Sequence, residues 1–404
     1  MIDNPCYEHA RELLLSVVNP VGVEHISLSE CGNRVLARDL VTQENVPAFD
    51  RSPYDGYALR AADTARATEE HPVTLRVLEE IPAGAVPTKE ITAGTAAKVL
   101  TGAPIPVGAD VVVMYENTEF TDRSVKLFVP VKAGDNIVHA GEDIRKGTVL
   151  AQVGTVIDPG LSGALAAQGV VNPLVYRMPH VAILTTGSEL VEADAIPTAG
   201  KIRNTNRYML ETALKRLGCK PVYLGIAGDS IADISAMINK GISEWDAVIT
   251  TGGVSVGDYD LTPAAMEASG AEILFRGVDM KPGMACAYGV KGEKLICGLS
   301  GNPASALTNF YAVALPALKK LTGQNAYRPQ EMQVMLSNGF TKKSPKTRFL
   351  RGRLELKDGV VCINLPKDQG NVVLSSTIGC DVMAVAPAGS GPLEAGTVLK
   401  GFLL

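Results

Sequence analysis

The stretch TTGGVSVGDYD, residues 250 to 260, combines hydroxyls, glycines and carboxylates in eleven positions. Glycines such as Gly252, Gly253 and Gly257 suit a backbone that must approach a phosphate group closely. Aspartates repel phosphate unless a cation lies between them, so Asp260 beside these glycines indicates a divalent cation. The stretch has no Gly-Lys-Ser/Thr of a Walker P-loop and no GxGxxG, so neither kinase nor dehydrogenase chemistry is predicted.

Polar loops also follow other strands predicted in this part of the chain. They are TGSE (186–189), GDS (228–230), KPG (281–283) and SGNPAS (300–305). Because ligands bind outside the carboxyl ends of parallel strands, we expect all five loops to converge on one crevice. Glu189, Asp229 and Asp260 would then offer the oxygen ligands that Mg²⁺ takes beside substrate phosphate, with Lys281 joining them. For each carboxylate taken alone, a solvated loop or a turn cap is the alternative interpretation.

The loop SGNPAS precedes a predicted helix whose first turn contains Pro303, where the fixed φ of proline fits. Asn302, Ser305 and free backbone N–H groups would face an anion there, which favours a phosphate. A simple helix cap by Asn and Ser is the alternative interpretation.

Three further loops rich in Gly and Pro lie outside this region, in DRSPYDGYALR, LTGAPIPVGADVVV and HAGEDIRKG. They contain Asp55, Thr101, Glu142 and Asp143 and, taken alone, indicate turns. A serine hydrolase is poorly supported, because the chain has no GxSxG and no histidine in a recognisable pairing.

The elements that must position these residues indicate an α/β domain accompanied by β-rich parts. YEHARELLLSVV predicts a short amphipathic helix ending at Asn19-Pro20, and DPGLSGALAAQG predicts another helix. Residues 45 to 138 contain short β-branched runs broken by Pro and Gly, which predicts a small antiparallel β domain. After Pro179, apolar strands alternate with amphipathic helices, which predicts a parallel sheet covered on both faces and a long helix after SGNP. The tail from about 328, with a turn at Lys357-Asp358-Gly359, predicts a hairpin-rich β domain.

Composition limits the classes of partner. A length of 404 residues predicts two to four domains. With 38 basic and 43 acidic residues and no basic run, the chain has no field that would recruit nucleic acid or an anionic membrane. The N-terminus has acids and a proline where a signal peptide has a basic region, and no apolar stretch reaches transmembrane length, so a cytoplasmic protein is expected. Seven scattered cysteines without a CxxC pair indicate reduced, structural thiols.

Eight motifs, DGYA, TGAP, GEDI, TGSEL, NTN, TTGGVSVGDYD, KPG and GNPAS, resemble in order and spacing those of the MoeA family, whose relatives include the gephyrin E domain and plant molybdenum insertases. The match spans nearly the whole chain. The resemblance implies the fold class α/β plus β, in an L-shaped homodimer of four-part subunits. The implied parts are an extended helical and dimerisation segment (1–44 and 139–176), an inserted β domain (45–138), a MogA-like parallel-sheet α/β molybdopterin-binding domain (177–327) and a small barrel-like C-terminal β domain (328–404).

The resemblance also implies a reaction. The family inserts molybdate into the dithiolene of molybdopterin, uses the adenylylated pterin as substrate, and releases AMP in a reaction that depends on a divalent cation, here expected to be Mg²⁺. Carried over to this chain, the resemblance puts Glu189, Asp229 and Asp260 beside the pyrophosphate and the metal, and Lys281 on the phosphates.

Other residues are expected to complete the site. The resemblance implies that Asp55, Thr101 and Asp143 approach the cleft from the other protomer of a homodimer, and that Arg351 enters from the C-terminal domain. Molybdate is itself an oxyanion and needs cationic groups and backbone N–H groups. The residues expected to bind the pterin cofactor are Gly252, Gly253, Ser255, Gly283, Asn302 and Ser305.

The chain departs from the family pattern at three places. Met284 stands where many relatives have lysine, Ser300 where they often have proline, and Pro53-Tyr54 where Ala-Met usually precedes DGYA. Losing a charged hydrogen bond at position 284 would cost about 1.5 to 3 kcal/mol. Two alternatives to a molybdenum insertase follow. One is an enzyme that inserts tungstate or uses a different pterin nucleotide, and the other is a non-catalytic scaffold.

Overall fold

A computed structural model describes residues 2–255 and 260–404. Gly257, for which close approach to a phosphate was predicted, lies outside the described residues. The chain divides into two compact units, which are described separately. The first unit comprises Met1–Arg38, Val153–Pro159 and Asn172–Leu404, and the second comprises Asp39–Gln152 and Gly160–Val171. The division into four parts stays a prediction.

The helices include those predicted near the start and within the α/β segment. They are α1 (Tyr7–Val17), α2 (Pro159–Ala167), α3 (Asn206–Arg216), α4 (Ile231–Glu244), α5 (Thr262–Ala268), α6 (Pro303–Asn309) and α7 (Leu315–Leu321). A π-helical segment, Phe310–Ala314, joins α6 to α7, so the predicted long helix is confirmed. Short 3-10 turns cover Leu28–Glu30, Ala61–Thr64, Tyr115–Asn117 and Leu374–Thr377. In the described part of the chain, no helix has the length and apolar character needed to cross a membrane.

The strands are numbered in chain order. They are β1 (Ile2–Asp3), β2 (Val23–His25), β3 (Leu40–Val41), β4 (Gly56–Leu59), β5 (Val73–Ile81), β6 (Thr95–Val99), β7 (Val111–Met114), β8 (Thr118–Thr121), β9 (Ser124–Leu127), β10 (Val149–Ala151), β11 (Leu174–Tyr176), β12 (His180–Thr186), β13 (Leu190–Val191), β14 (Ile202–Arg203), β15 (Lys220–Ala227), β16 (Ala247–Thr251), β17 (Glu272–Arg276), β18 (Met280–Lys281), β19 (Cys286–Lys291), β20 (Lys294–Leu299), β21 (Glu331–Leu336), β22 (Thr347–Lys357), β23 (Val360–Asn364), β24 (Val382–Ala386) and β25 (Val398–Leu403).

The main sheet of the first unit has the strand order β1-β17-β19-β20-β16-β12-β15. Strands β15, β12, β16 and β20 run parallel to one another, as the alternation of strands and helices predicted. Strand β19 is antiparallel to both β17 and β20, so the prediction of a purely parallel sheet is wrong there. Only Gly292 and Glu293 separate β19 from β20, and a connection this short can join only antiparallel strands.

The two faces of this sheet bury different sets of side chains, because successive residues of a strand point to opposite faces. On one face, Ile183 of β12 packs in a buried cluster with Leu14 of α1 and Leu210 of α3. On the other face, Leu184 packs in a second cluster with Ile238 of α4. Helices therefore cover both faces, as predicted, and leave the carboxyl ends of the strands to the loops.

A second sheet of the first unit closes into a small barrel. Its strand order is β18-β22-β23-β21-β25-β24, and an additional pairing between β22 and β24 completes the ring. The predicted turn lies between β22 and β23, where Asp358 and Gly359 have φ values of 51° and 78°. Positive φ at both central residues is the geometry of tight hairpin turns, so the prediction of a hairpin here is confirmed.

The second unit contains a sheet of order β7-β4-β6-β5-β9-β8. Its neighbours pair antiparallel except β5 and β6, which are parallel, so the prediction of an antiparallel domain is wrong for this pair. The connection between β5 and β6, residues 82 to 94, is long enough to bring the chain back to the end of the sheet at which β5 begins, so that β6 can run parallel to β5. The helix predicted in DPGLSGALAAQG is confirmed as α2.

Candidate functional site

A cavity of about 1080 Å³ in the first unit lies at the carboxyl ends of the parallel strands. Residues from the loops after β12, β15, β16 and β20 line it, in the segments 187–189, 229, 252–255 and 300–303. The predicted convergence is therefore confirmed for four of the five loops. Lys281 and Gly283 are not among the described residues of the cavity wall, because β18 pairs with β22 of the barrel and is not a strand of the main sheet.

Hydrogen bonds through Ser188 hold the loop after β12. The N–H of Ser188 donates to Oδ2 of Asp229 at 2.9 Å, and Nζ of Lys201 donates to the Ser188 carbonyl. The next residue after Asp229, Ser230, caps α4 by accepting a hydrogen bond of 3.0 Å from the N–H of Asp233. Asp229 thus enters the cavity from the start of a capped helix, with one carboxylate oxygen already bonded to the neighbouring loop.

The glycines after β16 are required by their backbone conformation and by their neighbours. Gly252 and Gly253 have φ values of 98° and 62°, which side chains of L-residues rarely allow. A Cβ on Gly252 would lie 2.6 Å from Oγ1 of Thr186, at the end of β12. The closest approach at Gly252 is therefore to a protein group. Both glycines and Ser255 also line the cavity, as predicted for the ligand-binding loop.

The predicted metal ligands Glu189, Asp229 and Asp260 all line this cavity. Within residues 2–255 and 260–404, however, no three or more His, Cys, Asp or Glu side chains are gathered closely enough to hold a metal ion. Mg²⁺ commonly takes one or two carboxylates together with waters and substrate phosphates. The donor set is therefore suited to an ion that arrives with a phosphate-bearing ligand, and it does not form a closed site of three carboxylates.

The segment before α6 contributes Asn302 to the cavity wall. The Asn302 side chain makes no capping hydrogen bond, so the structure does not support a simple helix cap there. Its backbone N–H donates to Oγ of Ser300 at 3.3 Å. Ser305 is 3% exposed and is not among the described wall residues, and its N–H donates to the carbonyl of Asn371 at 3.2 Å.

The KPG segment is fixed to α6 by a buried amide. Nδ2 of Asn309 donates to the Gly283 carbonyl at 2.6 Å, and Oδ1 of Asn309 accepts from the hydroxyl of Tyr288. Asn309 is fully buried, so both of these hydrogen bonds are shielded from water. Lys281 itself is exposed. The structure thus gives Gly283 a packing role beside α6.

Met284 stands next to a lysine from the barrel. Nζ of Lys346 lies 3.3 Å from Sδ of Met284 and 2.9 Å from Oδ1 of Asp279. Met284 is 46% exposed. A cation is therefore present beside position 284, although the residue at that position is apolar.

Arg351 is 1% exposed and supports a segment that lines the cavity. Its guanidinium donates to Oγ1 of Thr308 at 3.1 Å, to Oγ of Ser376 at 3.0 Å and to the Gly370 carbonyl at 3.4 Å. Burial lowers the pKa of Arg351 to about 10. These bonds hold the segment 370–376, two residues of which line the cavity, while Arg351 is not among the described wall residues.

In the second unit, Asp55 and Thr101 are in direct contact. Oδ1 of Asp55 accepts the backbone N–H of Thr101 at 2.6 Å and its hydroxyl at 2.8 Å. These two hydrogen bonds, the backbone one first, lower the pKa of Asp55. Asp143 is exposed, and its N–H donates to the carbonyl of Val46 at 3.1 Å.

Sequence reasoning missed the basic residues of the cavity, Lys201 and Arg203. It also gave no role to the motif NTN, although Asn204 and Asn206 belong to the cavity wall. Nδ2 of Asn206 donates to the Gly301 carbonyl at 2.9 Å, and its Oδ1 is buried with no hydrogen-bond partner among the described residues. The signal in the sequence was the pair of basic residues directly before this polar motif.

A partly buried polar network anchors the segment 190–203, which carries those basic residues. The hydroxyl of Tyr223 donates to Oε1 of Glu192 at 2.6 Å, and Arg207 donates to Oε2 of Glu192 at 2.9 Å. At the other end, Nδ2 of Asn204 donates to the Tyr223 hydroxyl and to Oγ1 of Thr185, both at 3.1 Å. Burial and the Glu192 carboxylate raise the pKa of Tyr223 to about 12, so the phenol remains a hydrogen-bond donor at neutral pH.

Comparison with protein families gives three matches along the chain. Residues 6–169 match the MoeA N-terminal region (domain I and II), residues 182–320 match a probable molybdopterin binding domain, and residues 333–403 match the MoeA C-terminal region (domain IV). Together these three models cover most of the chain.

Individual relatives agree with these matches. A molybdopterin molybdenumtransferase of Bacillus subtilis (strain 168) is 37% identical over 386 residues, covering 94% of this chain and 90% of the relative. One from Staphylococcus aureus (strain Mu50 / ATCC 700699) is 36% identical, covering 92% and 88%. The crystal structure of the molybdopterin biosynthesis protein MoeA from Pyrococcus horikoshii OT3 superposes with a TM-score of 0.85 at 32% identity, covering 99% of this chain and 100% of that one.

Proposed function

Because the chain belongs to the MoeA family, we propose that it is a molybdopterin molybdenumtransferase of molybdenum cofactor biosynthesis and that its reaction takes place in the cavity of the first unit. The observation that carries the placement is the convergence of four polar loops, which brings acidic and basic side chains around one large space. Neither tungstate selectivity nor a scaffold role is favoured by the relatives, which are transferases.

The substrates we propose are adenylylated molybdopterin and molybdate. At about 1080 Å³, the cavity is at the large end of ligand pockets and suits a ligand of dinucleotide size. Its wall combines carboxylates with Ser255, Asn302 and the backbone of Gly252 and Gly253, which supply hydrogen bonds for a polar ligand. Lys281 and Arg351 remain candidates for binding oxyanions, and the buried position of Arg351 suggests that it acts by holding the segment 370–376.

We propose Mg²⁺ as the divalent cation, held by one or two of Glu189, Asp229 and Asp260 together with the ligand's phosphates. When bound, such an ion polarises the phosphoanhydride that must break to release AMP. The chain's own contribution is to present these carboxylates from separate loops. Asp229 is constrained, because the Ser188 N–H fixes one of its oxygens.

We further propose a homodimer in which Asp55, Thr101 and Asp143 reach the cavity of the partner protomer. The pairing of Asp55 with Thr101 supports a prearranged role, since both hydrogen bonds go to Oδ1 and leave Oδ2 for a ligand. The cytoplasmic location expected from the N-terminal sequence stays a prediction.

The test is AMP release from adenylylated molybdopterin by the purified protein, with and without molybdate and with and without Mg²⁺. We expect release that requires both, and that Asp260→Asn abolishes. Release independent of molybdate, or an unchanged rate in Asp260→Asn, would contradict the proposal. Parallel titration with tungstate separates the two metals, because a lower KM for tungstate would restore the alternative specificity.

Met284→Lys completes this test at the place where the chain departs from its family. Lys346 already puts an ammonium group beside position 284. We therefore expect the native protein to turn over and the lysine variant to change its rate by less than about threefold, the effect of a weak, solvent-exposed charge contact. Activity only in the lysine variant would instead show that this chain has lost the molybdate reaction.

A further inference from the structure

The charges around the cavity are unevenly distributed. Among the described residues that line it, the acidic side chains are Glu189, Asp229 and Asp260, and the basic ones are Lys201 and Arg203. A phosphate-bearing ligand therefore meets three carboxylates, which repel it, and two cations, which attract it. We infer that Lys201 and Arg203 form the phosphate-binding edge of this cavity and hold the phosphate ester of a nucleotide-type ligand. This inference rests on the proposed function for the choice of ligand.

Both side chains retain hydrogen-bonding capacity. Nε of Arg203 donates to the carbonyl of Ala193 at 3.0 Å, and within the described part of the chain its two terminal nitrogens make no hydrogen bond. Nζ of Lys201 donates to the Ser188 carbonyl, and an ammonium group has three donors. A guanidinium with both terminal nitrogens available matches two oxygens of a phosphate at once.

The backbone that carries these cations is fixed. Strands β13 and β14 pair in parallel, with Val191 opposite Arg203. The N–H of Ile202 donates to the Glu189 carbonyl and the N–H of Asn204 to the Val191 carbonyl, both at 2.9 Å. Arg203 therefore lies between these two backbone hydrogen bonds, and Lys201 directly precedes the first of them, which goes to Glu189.

Side-chain hydrogen bonds hold both ends of the segment 190–203. Glu192 is held by Tyr223 and Arg207 at one end, and Asn204, which is 2% exposed, is held by Thr185 and Tyr223 at the other. Because Tyr223 belongs to both groups, the segment is tied to a strand of the main sheet at two points. Cations on such a segment are already positioned before the ligand arrives, which reduces the entropy lost on binding.

The two cations expected from the family resemblance lie elsewhere. Lys281 is on a strand of the barrel, and Arg351 is buried behind the segment 370–376; neither is among the described wall residues. The phosphate-binding role in this cavity therefore goes to residues to which the sequence motifs gave no function.

The probe is AMP, titrated calorimetrically into the full-length protein at low and at high salt. We expect Arg203→Gln to weaken AMP binding by about tenfold or more and Lys201→Gln by about threefold to tenfold, since charged hydrogen bonds are lost. The salt dependence of the AMP affinity should fall in both variants, because fewer screened charges remain. Arg203→Lys should retain the salt dependence and lose only about threefold in affinity, because it keeps the charge without the planar fork.

Matched controls are Arg216→Gln and Lys215→Gln, both exposed in the last turn of α3 and absent from the described cavity wall. They should leave AMP affinity and its salt dependence unchanged. The inference is overturned if Arg203→Gln and Lys201→Gln bind AMP like the native protein, or if the native protein does not bind AMP at millimolar concentration. Molybdate, the other oxyanion of the proposed reaction, is titrated in parallel. If Arg203→Gln and Lys201→Gln lose affinity for molybdate but not for AMP, the phosphate assignment is overturned.

These outcomes are separate from those of the proposed function. AMP binding that depends on Arg203, in a protein that releases no AMP from adenylylated molybdopterin, would retain the phosphate site and reject the insertase reaction. Molybdate-dependent AMP release by the native protein, together with unchanged AMP binding in Arg203→Gln and Lys201→Gln, would support the insertase reaction and reject the phosphate site.

Discussion

The backbone N–H of Ser188 donates a hydrogen bond of 2.9 Å to Oδ2 of Asp229, which joins the loops after β12 and β15 at the cavity wall. Asp229 therefore has two roles that substitution can separate, as a hydrogen-bond acceptor within the protein and as a negative charge in the cavity. Asparagine keeps an oxygen acceptor and removes the charge, whereas alanine removes both.

We accordingly expect the unfolding free energy of Asp229→Asn to stay within about 0.5 kcal/mol of that of the native protein. The unfolding free energy of Asp229→Ala should be lower by about 1 kcal/mol more, because the Ser188 N–H loses its partner. Both variants should lose at least about tenfold in the rate of AMP release, the effect of a missing charged interaction. Urea unfolding and the release assay measure the two effects. Native activity in Asp229→Asn would exclude a role for the charge.

Tyr223→Phe tests the anchor of the segment 190–203. The variant removes the hydroxyl that connects Glu192 to Asn204, and both partners are left partly unsatisfied. We expect a loss of about 1 to 3 kcal/mol in unfolding free energy and a weaker AMP affinity, because the segment that carries Arg203 is freed. Amide hydrogen exchange should accelerate at 190–203 and stay constant in the barrel. Tyr208→Phe is the control, since Tyr208 is 42% exposed, and equal exchange in both variants would contradict the anchoring role.

Much of the architecture around the cavity follows from local patterns. Apolar runs such as VAILTT and DAVITT predict strands, polar loops follow them, and parallel strands bring their carboxyl ends to one edge. For the paired glycines at 252 and 253 the sequence predicted close approach to a phosphate, whereas the structure shows positive φ values at both and, at Gly252, a close approach to Thr186. Glu189, Asp229 and Asp260 could therefore be placed in one cavity from the sequence alone.

What the sequence did not predict depends on contacts between distant segments. Periodicity identifies β18 as a short strand at most, and only its pairing with β22 shows that Lys281 belongs to the barrel sheet. The charge of Arg351 is visible in the sequence, but its burial against Thr308 and Ser376 is not. Lys201 and Arg203 look like ordinary surface residues until β14 pairs with β13 beside Glu189.

The ion pair of Asp246 with Arg177 gives a prediction about pH. Burial alone would raise the pKa of Asp246, but hydrogen bonds from Arg177 and from the N–H of His180 outweigh burial and lower this pKa. A carboxylate with a lowered pKa in the folded state stabilises the fold fully above its unfolded pKa of about 3.9, and this contribution disappears as the pH falls through the folded value.

We therefore expect Asp246→Asn to lower the unfolding free energy by about 2 kcal/mol at pH 7, since the Arg177 guanidinium loses its partner. The difference between native protein and variant should shrink as the pH falls below about 4, where the carboxylate protonates in the unfolded chain, and disappear once the pH passes the lower pKa of the folded state. Urea unfolding at neutral and acidic pH gives both values. The control is Asp122→Asn in the turn between β8 and β9. A difference that does not change with pH would refute the electrostatic origin.

Complementation tests whether two protomers share each site. Asp55→Asn and Asp229→Asn change residues of different units, and each alone should lose most of its activity. If the second unit of one protomer serves the cavity of its partner, a mixed dimer has one intact site. Random pairing of the two variants in a symmetric dimer then restores about a quarter of the native activity. Co-expression with two affinity tags isolates the mixed dimer, and its complete inactivity would show that each site is built from one chain.

Gly252→Ala tests the packing of the ligand-binding loop against β12. A Cβ at Gly252 would meet both the hydroxyl and the carbonyl oxygen of Thr186, at 2.6 and 2.7 Å, in addition to the strain of a positive φ. Gly218→Ala isolates the strain, because Gly218 has a φ of 84° and, among the described residues, no neighbouring atom lies within 4 Å of the position that a Cβ would occupy. Gly391→Ala has neither problem.

The loss of unfolding free energy should therefore increase from Gly391→Ala through Gly218→Ala to Gly252→Ala. We expect Gly391→Ala to stay within about 0.5 kcal/mol of the native protein, Gly218→Ala to lose about 1 to 2 kcal/mol, and Gly252→Ala to lose more than either. AMP affinity should fall only in Gly252→Ala, because the loop must move away from Thr186 and its backbone then leaves the cavity wall. Equal losses of stability in Gly252→Ala and Gly218→Ala would show that φ alone requires glycine here, and that the contact with β12 does not position the loop.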